Sequence, residues 1–260
     1  MKRISKILIT AMALTAATTG VAMATPSTQI WIPSTDIQAY NTFHLGIDNY
    51  IRTSKPSAVA NVYDIGPVYG FLPFEKLQGE VGFDYYVNNN LANDNHPWSG
   101  NIKLATPEES LFKMSPAIAI GGYNLGPAQN TGLAPNVLSG QNIIYGLVAK
   151  TLPVFGSVPS LGRLSAGYYR GGEKALVDSN GKAANDGVLL SWDRTMTEIS
   201  DKLWMAVDYQ GGNNADGAFS FGASWNFAKN VSVIFGYDIY NKKDLAGQNT
   251  FTTQLDINFP

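Results

Sequence analysis

From Thr42 to Phe259, apolar side chains recur at every second position in stretches of about ten residues, set apart by clusters of Pro, Gly, Asn and Asp. A period of two is that of a β-strand, whose successive side chains point to opposite faces. The pattern predicts strands at 42–53, 59–72, 76–88, 98–106, 112–124, 141–152, 160–172, 186–195, 202–212, 216–228, 231–242 and 249–259. The last sets Phe251, Thr253, Leu255, Ile257 and Phe259 on one face against Thr252, Gln254, Asp256 and Asn258 on the other. The tenth opposes Phe219, Phe221, Ala223, Trp225 and Phe227 to Ser220, Gly222, Ser224 and Asn226. One face is bulky and apolar, and the other is polar or glycine.

The connections carry a second regularity. After even-numbered strands they read as compact, as at Pro73-Phe74-Glu75 and Ala228-Lys229-Asn230; after several odd-numbered strands they are longer and polar, at 88–97, 125–140, 171–186 and 241–248. Short turns on one rim, long loops on the other and both termini at the short-turn rim are how a membrane-spanning barrel is laid out. Phe43, Tyr63, Trp98, Trp225, Phe227 and Phe259 fall near strand ends, where aromatic girdles meet the membrane interface. The bulky face is therefore expected to meet lipid and the polar face to line the lumen.

Composition agrees. Charged residues make up only 15% of the chain, against roughly a quarter in ordinary globular proteins. Lys2, Arg3 and Lys6, the apolar stretch from Ile7 to Gly20 and the Ala22-Met23-Ala24 site read as a signal peptide over residues 1–24, with the mature chain starting at Thr25. Loss of three bases with the leader widens the excess of 20 acids over 18 bases, which argues against a nucleic-acid partner. The chain has no cysteine, so lipidation at the cleavage point, disulfides and thiolate metal sites are excluded. Beyond the leader no apolar run approaches the roughly 20 residues of a spanning helix. The expected fold is thus all-β: a closed antiparallel up-and-down transmembrane β-barrel of about twelve strands over residues 42–260. Residues 25–41 would be a periplasmic N-terminal segment or a plug. Ile30-Trp31-Ile32 is too apolar to float in water comfortably, which favours docking in the lumen.

The leader, the alternating strands running to the chain end and the aromatic Phe259 of the last strand resemble the outer-membrane β-barrel superfamily. The chain departs from it by one residue, since members end on the aromatic itself and here Pro260 follows. The resemblance implies residence in the cell outer membrane of a Gram-negative bacterium, contact with outer-membrane lipid and insertion by the barrel-assembly machinery. It does not fix function, because many activities use this architecture.

A short motif recurs as Gly46-Ile47-Asp48-Asn49-Tyr50, Gly82-Phe83-Asp84-Tyr85-Tyr86 and Gly236-Tyr237-Asp238-Ile239-Tyr240, with a degenerate copy around Asp208. Alternation puts its Gly, Asp and last Tyr on the lumen face. Asp48, Asp84 and Asp238, with Asp64, are then expected to line one wall. The expected pore lining is Asp48, Tyr50, Arg52, Asp64, Glu80, Asp84, Tyr86, Lys103, Lys150, Arg163, Asp208, Asp238 and Tyr240, with Asp193 and Asp256 as further acids. Two roles compete for these carboxylates: pairing with Arg52, Lys103, Lys150 and Arg163 as structure, or an acidic path that favours cations. Glycines expected on the same face, among them Gly66, Gly146, Gly222 and Gly236, either leave a bore or accept neighbouring groups.

Catalytic chemistry is sparse. His44 has no serine two residues on, as an outer-membrane phospholipase requires, and His96 lies among Asn93, Asp94 and Asn95 as a solvated turn residue. No histidine pair has metal-ligand spacing, and no cofactor is implied. The sequence therefore points to a non-enzymatic, porin-like channel for small polar solutes or ions with a mild cation preference. The alternative is a plugged barrel that binds a ligand or partner through its outer loops.

Overall fold

The computed structural model describes residues 27–54, 59–88, 97–127, 140–153 and 161–260. The leader at 1–24 and His96 lie outside them. Twelve strands follow in order: β1 (Phe43–Arg52), β2 (Val62–Gly70), β3 (Gln78–Asn88), β4 (Trp98–Thr106), β5 (Ala117–Leu125), β6 (Ile143–Thr151), β7 (Arg163–Arg170), β8 (Asp186–Thr195), β9 (Leu203–Gln210), β10 (Ala218–Ala228), β11 (Val231–Tyr240) and β12 (Thr250–Phe259). A one-turn helix, α1 (Lys243–Ala246), sits in the last connection.

Each strand pairs antiparallel with its sequence neighbours, and β1 pairs with β12 from Phe43↔Phe259 to Arg52↔Thr250, closing the barrel. Closure leaves no strand edge with unpaired backbone groups, the condition for crossing hydrocarbon with strands. The faces divide as alternation dictates. Ile47, Ile65, Val81, Phe83, Ile102, Ile120, Phe221, Phe235 and Phe251 stand exposed on the outside, while Ser220, Ser224, Asp238, Thr250, Thr252 and Gln254 are buried inside. The girdle aromatics Phe43, Tyr63, Trp98, Phe227 and Phe259 are exposed as well.

Two readings of the pattern need correction. The connection after β4 (107–116) is not a compact turn, and β5 and β7 begin later than alternation suggests, at Ala117 and Arg163. In that connection, Glu109 and Met114 adopt positive φ and a turn closes from Ser115 N–H to the Phe112 carbonyl, which delays β5 until Ala117. Lys150, expected in the lumen, lies on the outer face of β6 at the rim, where its Nζ meets Glu108 Oε1 at 2.6 Å and Glu109 Oε1 at 3.6 Å. Gly146 points outward on the same strand and meets nothing within 4 Å. The cause is local: in β6, Ile143, Tyr145, Leu147 and Ala149 are buried while Ile144 and Val148 are exposed, so both faces are apolar and alternation conceals which is which.

The buried core lies inside the barrel, around the segment before β1. Ser34 N–H donates to the Ser27 carbonyl (3.0 Å) and Gln29 N–H to the Ile32 carbonyl (2.8 Å), which folds 27–34 into a tight loop with Ile30, Trp31 and Ile32 at its tip. Ile32 joins Ile143, Tyr145, Leu147, Tyr169, Leu176 and Leu189 in one apolar cluster, and Ile30 joins Trp204, Ala206 and Ile234 in another. Full burial of each isoleucine contributes about 1.5–3 kcal/mol. Gly222 and Gly236 make the second contact possible, since a Cβ at either would stand 2.9 Å from Ile30.

Candidate functional site: the barrel lumen

The segment is held by polar contacts on nearly every side. Asp208 Oδ2 accepts from the backbone N–H groups of Ile30 (2.7 Å) and Trp31 (2.9 Å), and Gln254 Nε2 donates to the Ile30 carbonyl (2.8 Å). Arg163 grips Asp36 through two parallel bonds of 2.7 Å and reaches Asp193 through Nε at 3.0 Å. Lys103 Nζ donates to the carbonyls of Ser27 (2.9 Å) and Ser34 (3.3 Å) and pairs with Glu80 at 3.1 Å, while Glu80 Oε2 accepts from Gln38 N–H at 2.7 Å. A planar guanidinium facing a carboxylate is the strongest of these geometries. The segment is thereby fastened to β3, β4, β7, β8, β9 and β12.

Beside the segment the lumen keeps a cavity of about 310 Å³. Asp48, Tyr50, Arg52, Asp64, Glu80, Asp84, Tyr86, Lys103 and Tyr240 all line it, so the structure brings most of the expected residues together on one side. Registers explain the clustering: Asp48 faces Asp64 across β1 and β2, and Asp64 faces Tyr86 across β2 and β3. Arg163 and Asp208 instead bind the segment, and Asp238 is buried in the wall, where its Oδ2 accepts from the Thr250 hydroxyl at 2.7 Å.

The bases do not reach the central acids. Lys103 takes Glu80, Arg163 takes Asp36 and Asp193, and His44 stands 3.4 Å from Asp256. Arg52 donates to the carbonyls of Ala60 (3.3 Å) and Gln248 (2.6 Å), and its guanidinium lies over the Tyr240 ring at 5.1 Å from the centroid. Asp84 accepts from Asn101 Nδ2 at 2.9 Å. Asp48 Oδ1 and Asp64 Oδ1 are enclosed and have no hydrogen-bond partner among the described residues, as is true of the second oxygens of Asp208 and Asp238. Gly66 makes room in this wall, for a Cβ there would lie 2.2 Å from Asp84 Oδ1.

The sequence places Trp31 and Gln210 in the lumen but overlooks His44, Tyr123 and Asn101 as lining residues. Trp31 forms edge-on contacts with Tyr50 (5.4 Å) and Tyr240 (5.5 Å). His44, Tyr123, Asn101 and Gln210 also face the cavity. His44 and Asn101 sit on lumen parity and were open to discovery by alternation; the docking of Trp31 follows from its apolar neighbours, but its place between Tyr50 and Tyr240 does not. Outside the strands, Asp216 reaches over the segment: its carbonyl accepts from Trp31 Nε1 at 2.9 Å and its Oδ1 from Gln141 Nε2 at 2.8 Å. Burial lifts the Asp216 carboxyl to about 6, against the opposing effect of the Gln141 bond. Among the described residues, no group of three or more His, Asp or Glu is arranged to hold a metal ion.

No family model matches the chain, and neither does any curated protein. Solved structures do resemble it. An outer membrane channel from Pseudomonas putida F1 is 12% identical with a TM-score of 0.48, over 88% of this chain and 99% of that one. The NanC porin is 8% identical with a TM-score of 0.44, over 83% and 99%, and an outer membrane protein of Acinetobacter baumannii is 10% identical with a TM-score of 0.43, over 85% and 98%. Likeness at this level says nothing of cargo. The closed barrel, the apolar belt around it and the polar interior themselves define a β-barrel of the membrane-spanning type.

Proposed function

We propose that the protein is a narrow outer-membrane channel that passes small polar solutes and ions down their gradients and favours cations. The observation that supports this most is the unpaired Asp48 and Asp64 pair on the wall that the segment leaves free. Inside a barrel the effective dielectric is far below that of water, so an uncompensated carboxylate attracts a passing cation strongly. The barrel removes the cost of crossing hydrocarbon, and no bond need be made or broken.

Planar-bilayer recording tests the reading. Discrete small current steps are expected, with a reversal potential in a KCl gradient on the cation-selective side. Replacing Asp48, Asp64 and Asp84 together by Asn should move that potential toward zero. A purified, folded protein that gives no steps overturns the proposal. The docked segment supports a second reading, a plugged barrel that works by binding a ligand or partner at its outer loops; wild-type silence in the bilayer would favour it.

A further inference from the structure

We propose that the cavity beside Asp48 and Asp64 is a binding subsite for a small organic cation, an ammonium group carried on a compact apolar or aromatic body. The inference deepens the channel reading, since it names the solute class that this lumen would hold longest. The other described lumen acids each have a side-chain or backbone partner: Glu80 has Lys103, Asp193 has Arg163, Asp256 has His44 and Ser232, Asp208 has two backbone N–H groups, Asp238 has Thr250 and Asp84 has Asn101, although Asp208 and Asp238 also each keep one unbonded Oδ1. Asp48 and Asp64 face each other in register, and each keeps an enclosed oxygen that no described residue satisfies. Buried polar atoms in native proteins are nearly always bonded, so two adjacent exceptions that open on a cavity point to a missing donor.

The wall around them identifies the donor's body. Trp31, Tyr50 and Tyr240 form a set of edge-on rings at the cavity, and Tyr240 already carries a guanidinium on its face. Aromatic faces attract cations, most strongly when water is excluded. Val62 and Val68 add apolar lining. A bare divalent ion would need several oxygen ligands at bonding distance, and the described residues assemble no such group. The volume of about 310 Å³ is at the small end of ligand pockets, enough for a one-ring amine.

Calorimetric titration of the full-length protein in detergent micelles tests this with benzylammonium, benzyl alcohol and benzoate as probes. Benzylammonium should bind at least about tenfold more tightly than either comparator, and Asp48→Asn with Asp64→Asn should erase that margin. Lys150→Gln, on the outer rim, should leave it intact. The proposal is overturned if the alcohol binds as well as the amine, or if benzylammonium gives no binding up to about 10 mM. It also falls if the folded double variant binds undiminished. Should that variant fail to fold, judged by loss of its heat-modifiable band, the three probes on wild type still decide. The titration requires no current, so a silent bilayer and a silent calorimeter refute different statements.

Discussion

At the residue scale, two positions control how tightly the lumen is built. Asp216 is the ionisable cap over Trp31, and its raised carboxyl binds a proton more readily in the folded protein than in the unfolded chain. The sign follows: its contribution to loop closure is present at low pH and is lost as pH rises through about 6. Hydrogen exchange at the Trp31 indole should therefore quicken across that window, and Asp216→Asn should flatten this part of the profile; equal profiles would remove Asp216 as the cause. Gly66 is the second position. Gly66→Ala must push Asp84 from its bond to Asn101 and should cost about 1–3 kcal/mol, whereas Gly46→Ala, whose nearest neighbour is 3.5 Å away, should melt close to wild type.

At the scale of elements, legibility followed the contrast between faces. β10, β11 and β12 alternate sharply between apolar and polar residues and were readable from that contrast. β6 has no contrast because its inner face packs on Ile32, so Lys150 and Gly146 were assigned to the wrong side. The wall of Asp48, Asp64 and Asp84 was accessible to simple parity, but the pairing that singles out two of them was not, since it depends on where Lys103 and Arg163 go. Both bases turn to the N-terminal segment, a contact made across the lumen and invisible to any local pattern. The segment itself is the element to remove. Excising residues 27–40 while keeping Asn41 should leave a folded barrel and raise the bilayer current steps severalfold, and unchanged steps would show that the segment does not narrow the path.

At the scale of the whole molecule, the outside is as constrained as the inside. Phe235 stands midway along β11, exposed on the outer face. Phe235→Lys should cost about 2–4 kcal/mol of stability in lipid, read by urea titration in vesicles. Lys229→Ala, in the exposed turn between β10 and β11, should cost far less. A cost under about 0.5 kcal/mol in vesicles would deny that this surface meets hydrocarbon.

The docking of Ile30 and Trp31 onto Asp208 joins positions 178 and 177 residues apart. Asp208 lies on β9, so the tip is synthesised long before its berth exists. During that interval Ile30-Trp31-Ile32 is an apolar hook with nowhere to bury itself. One of the earliest parts of the barrel therefore waits for a later strand before it can be put away.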